Sequence, residues 1–149
     1  MAIHKTKRCV VKKSTIEGAG LGLFVMEPVK VGERIAIYSG KELDSVQAFL
    51  SSSKYLVQIS NNVFLDAQDD TFGLGKFINC GNRSKREVNA RLGAKTTYNV
   101  DATTGIKWIS VICTKEIRKG HEVFIDYGDT YWDTGGTLTF TEIGRAFLL

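Results

Sequence analysis

The apolar positions of this chain fall in short runs separated by glycine and small polar residues. Val10-Val11 opens the series, and Leu23-Phe24-Val25 runs up to a stop at Pro28. Residues 34–38 form the next apolar run, closed by Ser39-Gly40. Residues 55–59 and 63–65 flank Asn61-Asn62, a two-residue hairpin signal, and residues 96–100 and 106–112 flank a glycine-containing turn at 103–105. Val123-Phe124-Ile125 is a further short run. This spacing predicts short strands with two hairpins, long loops between them and little helix. Residues 44–50 have room for one or two helical turns. Helical periodicity is clear at the C-terminus, where Thr139 and Glu142 make a capping box ahead of an apolar stripe of Ile143, Ala146, Phe147 and Leu148. A segment so short, with Gly144 inside it, has to dock on something to persist.

Length and composition fit that picture. The 149 residues suit one domain with a sizeable core, and 43% hydrophobic with 24% charged residues is ordinary for a globular chain. No apolar run approaches the roughly 18 residues a membrane helix needs, and no apolar stretch follows the charged N-terminus, so neither a membrane span nor a secretory signal is expected. The net charge of +4 is concentrated: Lys5, Lys7, Arg8, Lys12 and Lys13 form a basic arm without an acid, and a second basic stretch covers Arg83, Lys85, Arg86, Arg91 and Lys95. The arm is either a solvated extension or an electrostatic handle for nucleic acid. Cys9, Cys80 and Cys113 are far apart and both histidines, His4 and His121, are isolated, so neither a zinc site nor a disulfide framework is expected. An odd cysteine count points to free thiols in a reducing, intracellular compartment.

The glycines at 18, 20 and 22 invite comparison with a dinucleotide-binding turn. Leu23 stands where the third glycine belongs, and no helical pattern follows before Pro28, so that reading fails. A glycine turn feeding a strand is left, where backbone can approach another backbone or a ligand closely.

Four blocks then carry a resemblance. Gly20-Leu21-Gly22-Leu23-Phe24 is followed by Val31-Gly32-Glu33 and Tyr38-Ser39-Gly40. Asp66-Ala67 precedes Gly75-Lys76-Phe77-Ile78-Asn79-Cys80-Gly81. Val88-Asn89-Ala90 comes third, and residues 117–128, ending Glu122-Val123-Phe124-Ile125-Asp126-Tyr127-Gly128, come last. In this order, over about residues 8–132, the blocks resemble the SET-domain protein lysine methyltransferases, and the small size is similar to minimal, zinc-free members such as the chlorella-virus SET protein. The resemblance implies a mainly β fold of several small sheets, with the Asn79 and Tyr127 segments crossing in a pseudoknot and a short C-terminal helix. The whole chain, residues 1–149, would be one such domain, with the basic arm at 1–13 and a tail at 133–149 that replaces a zinc-bound closure.

The resemblance also implies a chemistry: S-adenosyl-L-methionine as methyl donor, S-adenosyl-L-homocysteine as product, a protein lysine as acceptor and no metal. Tyr127 takes the place of the central catalytic tyrosine and Tyr38 that of a hydroxyl orienting the amine. Gly20, Leu21 and Gly22 would receive the methionine part of the cofactor. Asn79 and Cys80 would meet its adenine region, with Tyr55, Lys76 and Phe77 beside them. Trp132 would stack on the adenine or sit in the core. Phe124, Ile125 and Tyr131 would wall the lysine channel, Phe124 being equally readable as a core aromatic. Methyl transfer to an amine needs a neutral amine, alignment and exclusion of water rather than a nucleophilic side chain, which suits such residues.

Three departures stand out. Cys80 replaces the family's histidine, residues 83–87 lengthen a loop with basic side chains, and Ile125 replaces a ring that limits how many methyl groups fit. A roomier pocket, and hence di- or trimethylation, is the expectation. Histone tails are the substrate that fits the family best, which implies a nuclear protein, itself a monomer or homodimer; Asp66, Asp69, Asp70, Asp126, Asp129 and Asp133 either line an acidic groove for them or are solvated acids. The alternatives are a catalytically inactive SET-like protein-binding module and a small β-barrel nucleic-acid binder using the basic arm.

Overall fold

The computed structural model describes residues 5–60, 62–69, 73–81, 84–93, 99–100, 103, 105–127 and 137–138. Its strands are β1 (Cys9–Lys13), β2 (Leu21–Val25), β3 (Arg34–Leu43), β4 (Leu56–Ser60), β5 (Val63–Asp66), β6 (Asn79–Cys80), β7 (Ala90–Leu92), β8 (Asn99–Val100), β9 (Lys107–Cys113), β10 (Phe124–Ile125) and β11 (Thr137–Leu138). One α-helix, α1 (Ser45–Leu50), and a 3₁₀ turn at Gly75–Phe77 complete the described elements. The protein is mainly β and built of several small sheets, as the sequence pattern predicts. The expected C-terminal helix lies outside the described residues.

β3 is the trunk. Its residues 34–40 pair antiparallel with β9, and its residues 41–43 pair antiparallel with β5. Residues 35–40 are all buried, because the strand has neighbours on both faces; its unbroken apolar run, rather than alternation, is the sequence sign of that. β4 and β5 form the hairpin expected around Asn62, with a register shift between Gln58 and Ser60. β8 and β7 both pair with β9, at opposite ends of it. β11 pairs parallel with β4, a contact between residues 137–138 and 56–57 that no local pattern announces. The helix begins at Asp44, whose carboxylate accepts from the Gln47 N–H at 2.8 Å while the Gln47 side chain accepts from the Asp44 N–H at 2.8 Å. This reciprocal cap lets six residues hold a helix that would be too short alone.

The core is aliphatic: Leu23, Val25, Val29, Ile35, Val57, Ile59, Leu65, Ile109, Val111 and Val123 are all but sealed from solvent. The N-terminal hairpin of β1 and β2 is joined to the rest by residues 120–123, which run along the free edge of β2. The Val25 N–H donates to the His121 carbonyl at 3.0 Å and the Val123 N–H to the Leu23 carbonyl at 2.8 Å. The same segment continues into β10, which pairs parallel with β6, Phe124 against Asn79 and Ile125 against Cys80. On its other side Asn89 closes on it twice. The Asn89 N–H donates to the Phe124 carbonyl at 3.1 Å, and its side-chain oxygen accepts from the Phe124 N–H at 2.8 Å. β10 therefore lies between the two ends of the 79–90 loop, the crossing expected of the Asn79 and Tyr127 segments.

Part of the basic arm is neutralised within the fold. Lys7 pairs with Glu33 at 3.1 Å, Arg8 with Glu27 at 3.7 Å, and the Lys12 ammonium lies 4.5 Å from the centre of the Phe24 ring. The three cysteines are free thiols. Burial, helped by the charge of Glu27, pushes the Cys9 thiol up to about 11. Among the described residues, no helix is long and apolar enough to cross a membrane.

Two outcomes follow from this packing. Asn89→Ala leaves the Phe124 N–H and the Glu122 carbonyl, which accepts from the Asn89 amide at 3.0 Å, without those partners, and should cost about 1–3 kcal/mol. Urea unfolding reads this as a lower midpoint at unchanged slope; an unmoved midpoint contradicts the clamp. At pH 8 only on the order of a thousandth of Cys9 is thiolate if its pKa is about 11, so iodoacetamide should label it far more slowly in the native protein than in urea. Equal rates would show that the thiol is not buried as described.

Candidate active site

A cleft of about 610 Å³ opens between the 16–21 loop, the start of the β4 hairpin and the segment that carries β6. Its lining includes Gly20, Leu21, Tyr38, Tyr55, Lys76, Phe77, Asn79, Ile125 and Tyr127, so nine of the sequence-derived site residues converge there from five separate stretches of chain. Three others do not line it. Gly22 and Cys80 lie behind its wall. Phe124 points the other way: as neighbours in β10, Phe124 and Ile125 face opposite sides, and Phe124 lines a separate hollow with Phe24, Asn89 and His121. Its core reading fits this placement better than the channel-wall reading. Tyr131 and Trp132 lie outside the described residues.

The loop wall is shaped by glycine for two distinct reasons. Gly20 has φ +76° with open space where a side chain would project, so it is a turn residue first. Gly22 is extended backbone, but a Cβ there would run into the Glu122 carboxylate and stand 3.2 Å from the Ser14 Cβ. The loop base is closed by the Ser14 N–H donating to the Gly20 carbonyl at 2.8 Å. From the opposite wall, the Asn79 side-chain amide donates to the Leu21 carbonyl at 2.9 Å and so ties the two walls together.

Two tyrosines that line this space have their hydroxyl hydrogens committed. Tyr127 donates to the Ile78 carbonyl at 2.6 Å, and Tyr38, only 5% exposed, donates to the Tyr55 carbonyl at 2.7 Å. Each oxygen is thereby fixed and oriented, and acts toward the cleft as an acceptor. Cys80 supports Tyr127 from behind: its sulfur accepts from the Tyr127 N–H at 3.4 Å. Lys76 stiffens the hairpin side. Its ammonium donates to the Ala67 and Gln68 carbonyls at 2.8 and 3.3 Å and lies 5.5 Å from the centres of both the Tyr55 and Phe77 rings. Asp66, a candidate for an acidic groove, is instead engaged locally, accepting from the Ser53 hydroxyl at 2.7 Å and the Gln68 N–H at 3.0 Å. Asp70, Asp129 and Asp133 lie outside the described residues.

One residue central to this geometry had no role on sequence grounds. Glu122 is 5% exposed and accepts hydrogen bonds from Ser14 and Thr15. In the sequence Glu122 stands in the last of the four blocks, beside the apolar run 123–125, and nothing local pairs it with Ser14 more than a hundred residues away. The basic loop also has an unforeseen contact: Arg86 donates to the Thr15 carbonyl at 2.8 Å, which joins that loop to the cleft's glycine loop.

Ligand sites are commonly about 300–1,000 Å³ with a few placed polar groups among apolar ones, and this cleft fits that description. The donor set suits a molecule with an aromatic part and an amino-acid part: rings of Tyr55 and Phe77, an amide at Asn79, loop backbone at 18–21, and Glu17 and Lys54 at the rim.

Comparison with known proteins agrees with the geometry. Among solved structures the chain is similar to a chain of an active polycomb repressive complex 2 in its stimulated state, with TM-score 0.64 and 19% identity over 91% of this chain and 18% of that one. It is similar to the same complex in its basal state, at TM-score 0.61 and 23% identity over 89% and 17%. A Plasmodium falciparum protein designated a candidate histone methyltransferase gives TM-score 0.58 and 23% identity over 86% of this chain and 99% of that one. The chain thus spans under a fifth of the polycomb chains it matches, and at these identities the likeness is one of fold. No curated protein sequence matches significantly. The SET domain family model matches residues 20–128, the stretch that runs from the glycine loop to just past Tyr127. This chain therefore belongs to the SET domain family.

Proposed function

We propose that this protein is an S-adenosyl-L-methionine-dependent protein lysine N-methyltransferase. The observation that carries the reading is the convergence of Tyr127, Tyr38, Asn79 and the 18–21 backbone on one cleft, inside a family that is in general one of protein lysine methyltransferases. Bound in the cleft, the cofactor would supply an electrophilic methyl group on a sulfonium. Gly20 and Leu21 would hold its amino-acid part, and Asn79 would meet the adenine region, with Tyr55, Lys76 and Phe77 beside it and Cys80 acting from behind through Tyr127. Trp132 and Tyr131 keep their proposed places near the adenine and the lysine.

The chain's own groups account for the handling of the amine. A lysine entering past Tyr38, Ile125 and Tyr127 leaves water for apolar and aromatic surface, and that desolvation favours the neutral amine over the ammonium. Tyr38 and Tyr127, as acceptors, can hold the amine N–H groups and so aim its lone pair. Their own hydrogens are tied to carbonyls, so neither competes for that lone pair. Ile125 is 3% exposed and has a branched aliphatic side chain at the cleft wall, which leaves more room than a ring for an amine that already carries methyl groups.

Residues 1–149 are read as a single SET domain of the minimal, zinc-free type, as monomer or homodimer, with no metal. A histone tail is the proposed substrate class and the nucleus the corresponding location; the similarity to histone-modifying structures supports both. Nucleic acid would be met at most through the basic arm, of which Lys7 and Arg8 are already paired.

Incubation with labelled cofactor and core histones, nucleosomes or a cell lysate should give lysine methylation, and Tyr127→Phe should lower kcat by about a hundredfold or more while leaving the fold intact. Transfer undiminished in Tyr127→Phe contradicts the role given to that hydroxyl. Absence of both transfer and cofactor binding would favour the inactive binding module instead. Mass spectrometry of the product should show di- or trimethyllysine, shifting toward monomethyllysine in Ile125→Phe; monomethyl product alone from the unaltered enzyme at saturating cofactor would overturn the pocket-size argument.

A further inference from the structure

The Glu122 carboxylate is buried, does not line the cleft, and still gathers hydrogen bonds from both of its walls. One oxygen accepts from the Thr15 N–H at 2.8 Å and the Thr15 hydroxyl at 2.6 Å. The other accepts from the Ser14 hydroxyl at 2.7 Å and, at 3.4 Å, from the same Asn79 amide that donates to the Leu21 carbonyl. The Ser14 oxygen in turn accepts from the Ile16 N–H at 3.0 Å, so the first turn of the 14–20 loop is pinned through one side chain. Gly22 is without a side chain where this carboxylate sits. Backbone pairing of residues 120–123 along β2, including the bridge between Phe24 and Glu122, delivers the carboxylate to that spot.

We infer that Glu122 is a positioning residue for cofactor binding: it fixes the 14–21 loop against Asn79 and so sets the width of the cleft on the cofactor side, leaving the lysine side to Tyr38, Ile125 and Tyr127. The inference rests on the methyltransferase reading of the cleft. Its physical basis is the arrangement of donors. Four hydrogen bonds from three residues converge on one buried carboxylate, and hydrogen bonds to such a group are stronger than neutral ones. The turn is also closed by the Ser14 N–H on the Gly20 carbonyl and met by Arg86 at the Thr15 carbonyl. Glu122, however, is the group that ties its two hydroxyls and the Thr15 N–H to the Asn79 wall, in a turn whose glycines favour opening. The carboxylate touches neither tyrosine hydroxyl, so its loss should be felt in affinity for the cofactor and not in the alignment of the amine.

The test compares the unaltered protein with Glu122→Gln, Ser14→Ala and the conservative Thr15→Ser. Calorimetric titration with S-adenosyl-L-homocysteine should show affinity weakened by about tenfold in Glu122→Gln and Ser14→Ala, and retained in Thr15→Ser. Amide exchange in the ligand-free protein should quicken at Thr15 and Ile16 in the first two variants, while exchange in β3 and β9 stays as it was. In steady state, KM for the cofactor should rise while KM for core histones and kcat at saturating cofactor hold. Unchanged affinity in Ser14→Ala and in a folded Glu122→Gln overturns the inference, as does a histone KM that rises along with the cofactor KM. If Glu122→Gln does not fold, Ser14→Ala alone decides. An unaltered protein that fails to bind S-adenosyl-L-homocysteine removes the methyltransferase reading and this inference together, whereas binding that is insensitive to both variants removes this inference only.

Discussion

The structure depends on one short stretch of extended chain, residues 120–127, having every neighbour it needs. Its first half completes the edge of β2, its middle is bracketed by β6 on one side and Asn89 on the other, and its end is anchored by Tyr127. Buried backbone groups that lose their partners are costly, so a strand of two residues can persist only where both of its edges are satisfied. Asn89 is the device that makes this possible. A single residue supplies backbone N–H, side-chain oxygen and side-chain amide to three consecutive peptide groups, where a regular strand would supply backbone alone.

The cleft is a consequence of that bracketing. β10 brings Ile125 to the same wall as Asn79, and two residues later Tyr127 reaches back to the Ile78 carbonyl. The trunk strand β3 contributes Tyr38 at the point where its pairing is about to pass from β9 to β5, and the hairpin that follows contributes Tyr55. The opposite wall is glycine-rich and has little side chain with which to stabilise itself; its rigidity is imported from Glu122 and Asn79. A methyl-transfer site needs walls that exclude water and hold two molecules in line more than it needs reactive side chains. The arrangement is suited to that: fixed acceptors, an apolar passage and a narrow loop.

Local signals in the sequence were enough for most strands and for the family. The apolar run at 34–38, the turn at Asn62 and the ordered blocks from Gly20 to Tyr127 each correspond to something described above, because strand burial and tight turns impose their residue types locally. Eight site residues taken from those blocks, and Tyr55 between them, share the cleft. The remainder was hidden for physical reasons. Gly22 reads as a place for a ligand to approach, but the space it leaves is taken by a carboxylate one hundred residues on. Phe124 reads as a channel aromatic, yet strand alternation gives the cleft to Ile125 and turns Phe124 away. Glu122, Ser14 and Asn89 act through contacts whose partners are distant in the chain, and no window of sequence contains both members. The parallel pairing of β11 with β4 is of the same kind.

The central claim, that the cleft between the glycine loop and the Asn79–Tyr127 crossing receives S-adenosyl-L-methionine, is tested most directly by mapping its binding with amide chemical shifts. Addition of the cofactor should move the resonances of Gly18, Gly20, Leu21, Phe77 and Asn79 in a saturable way, with those of Val29, Ile117 and Lys119 unmoved. Saturable shifts confined to another surface, or none at millimolar cofactor, would contradict the account.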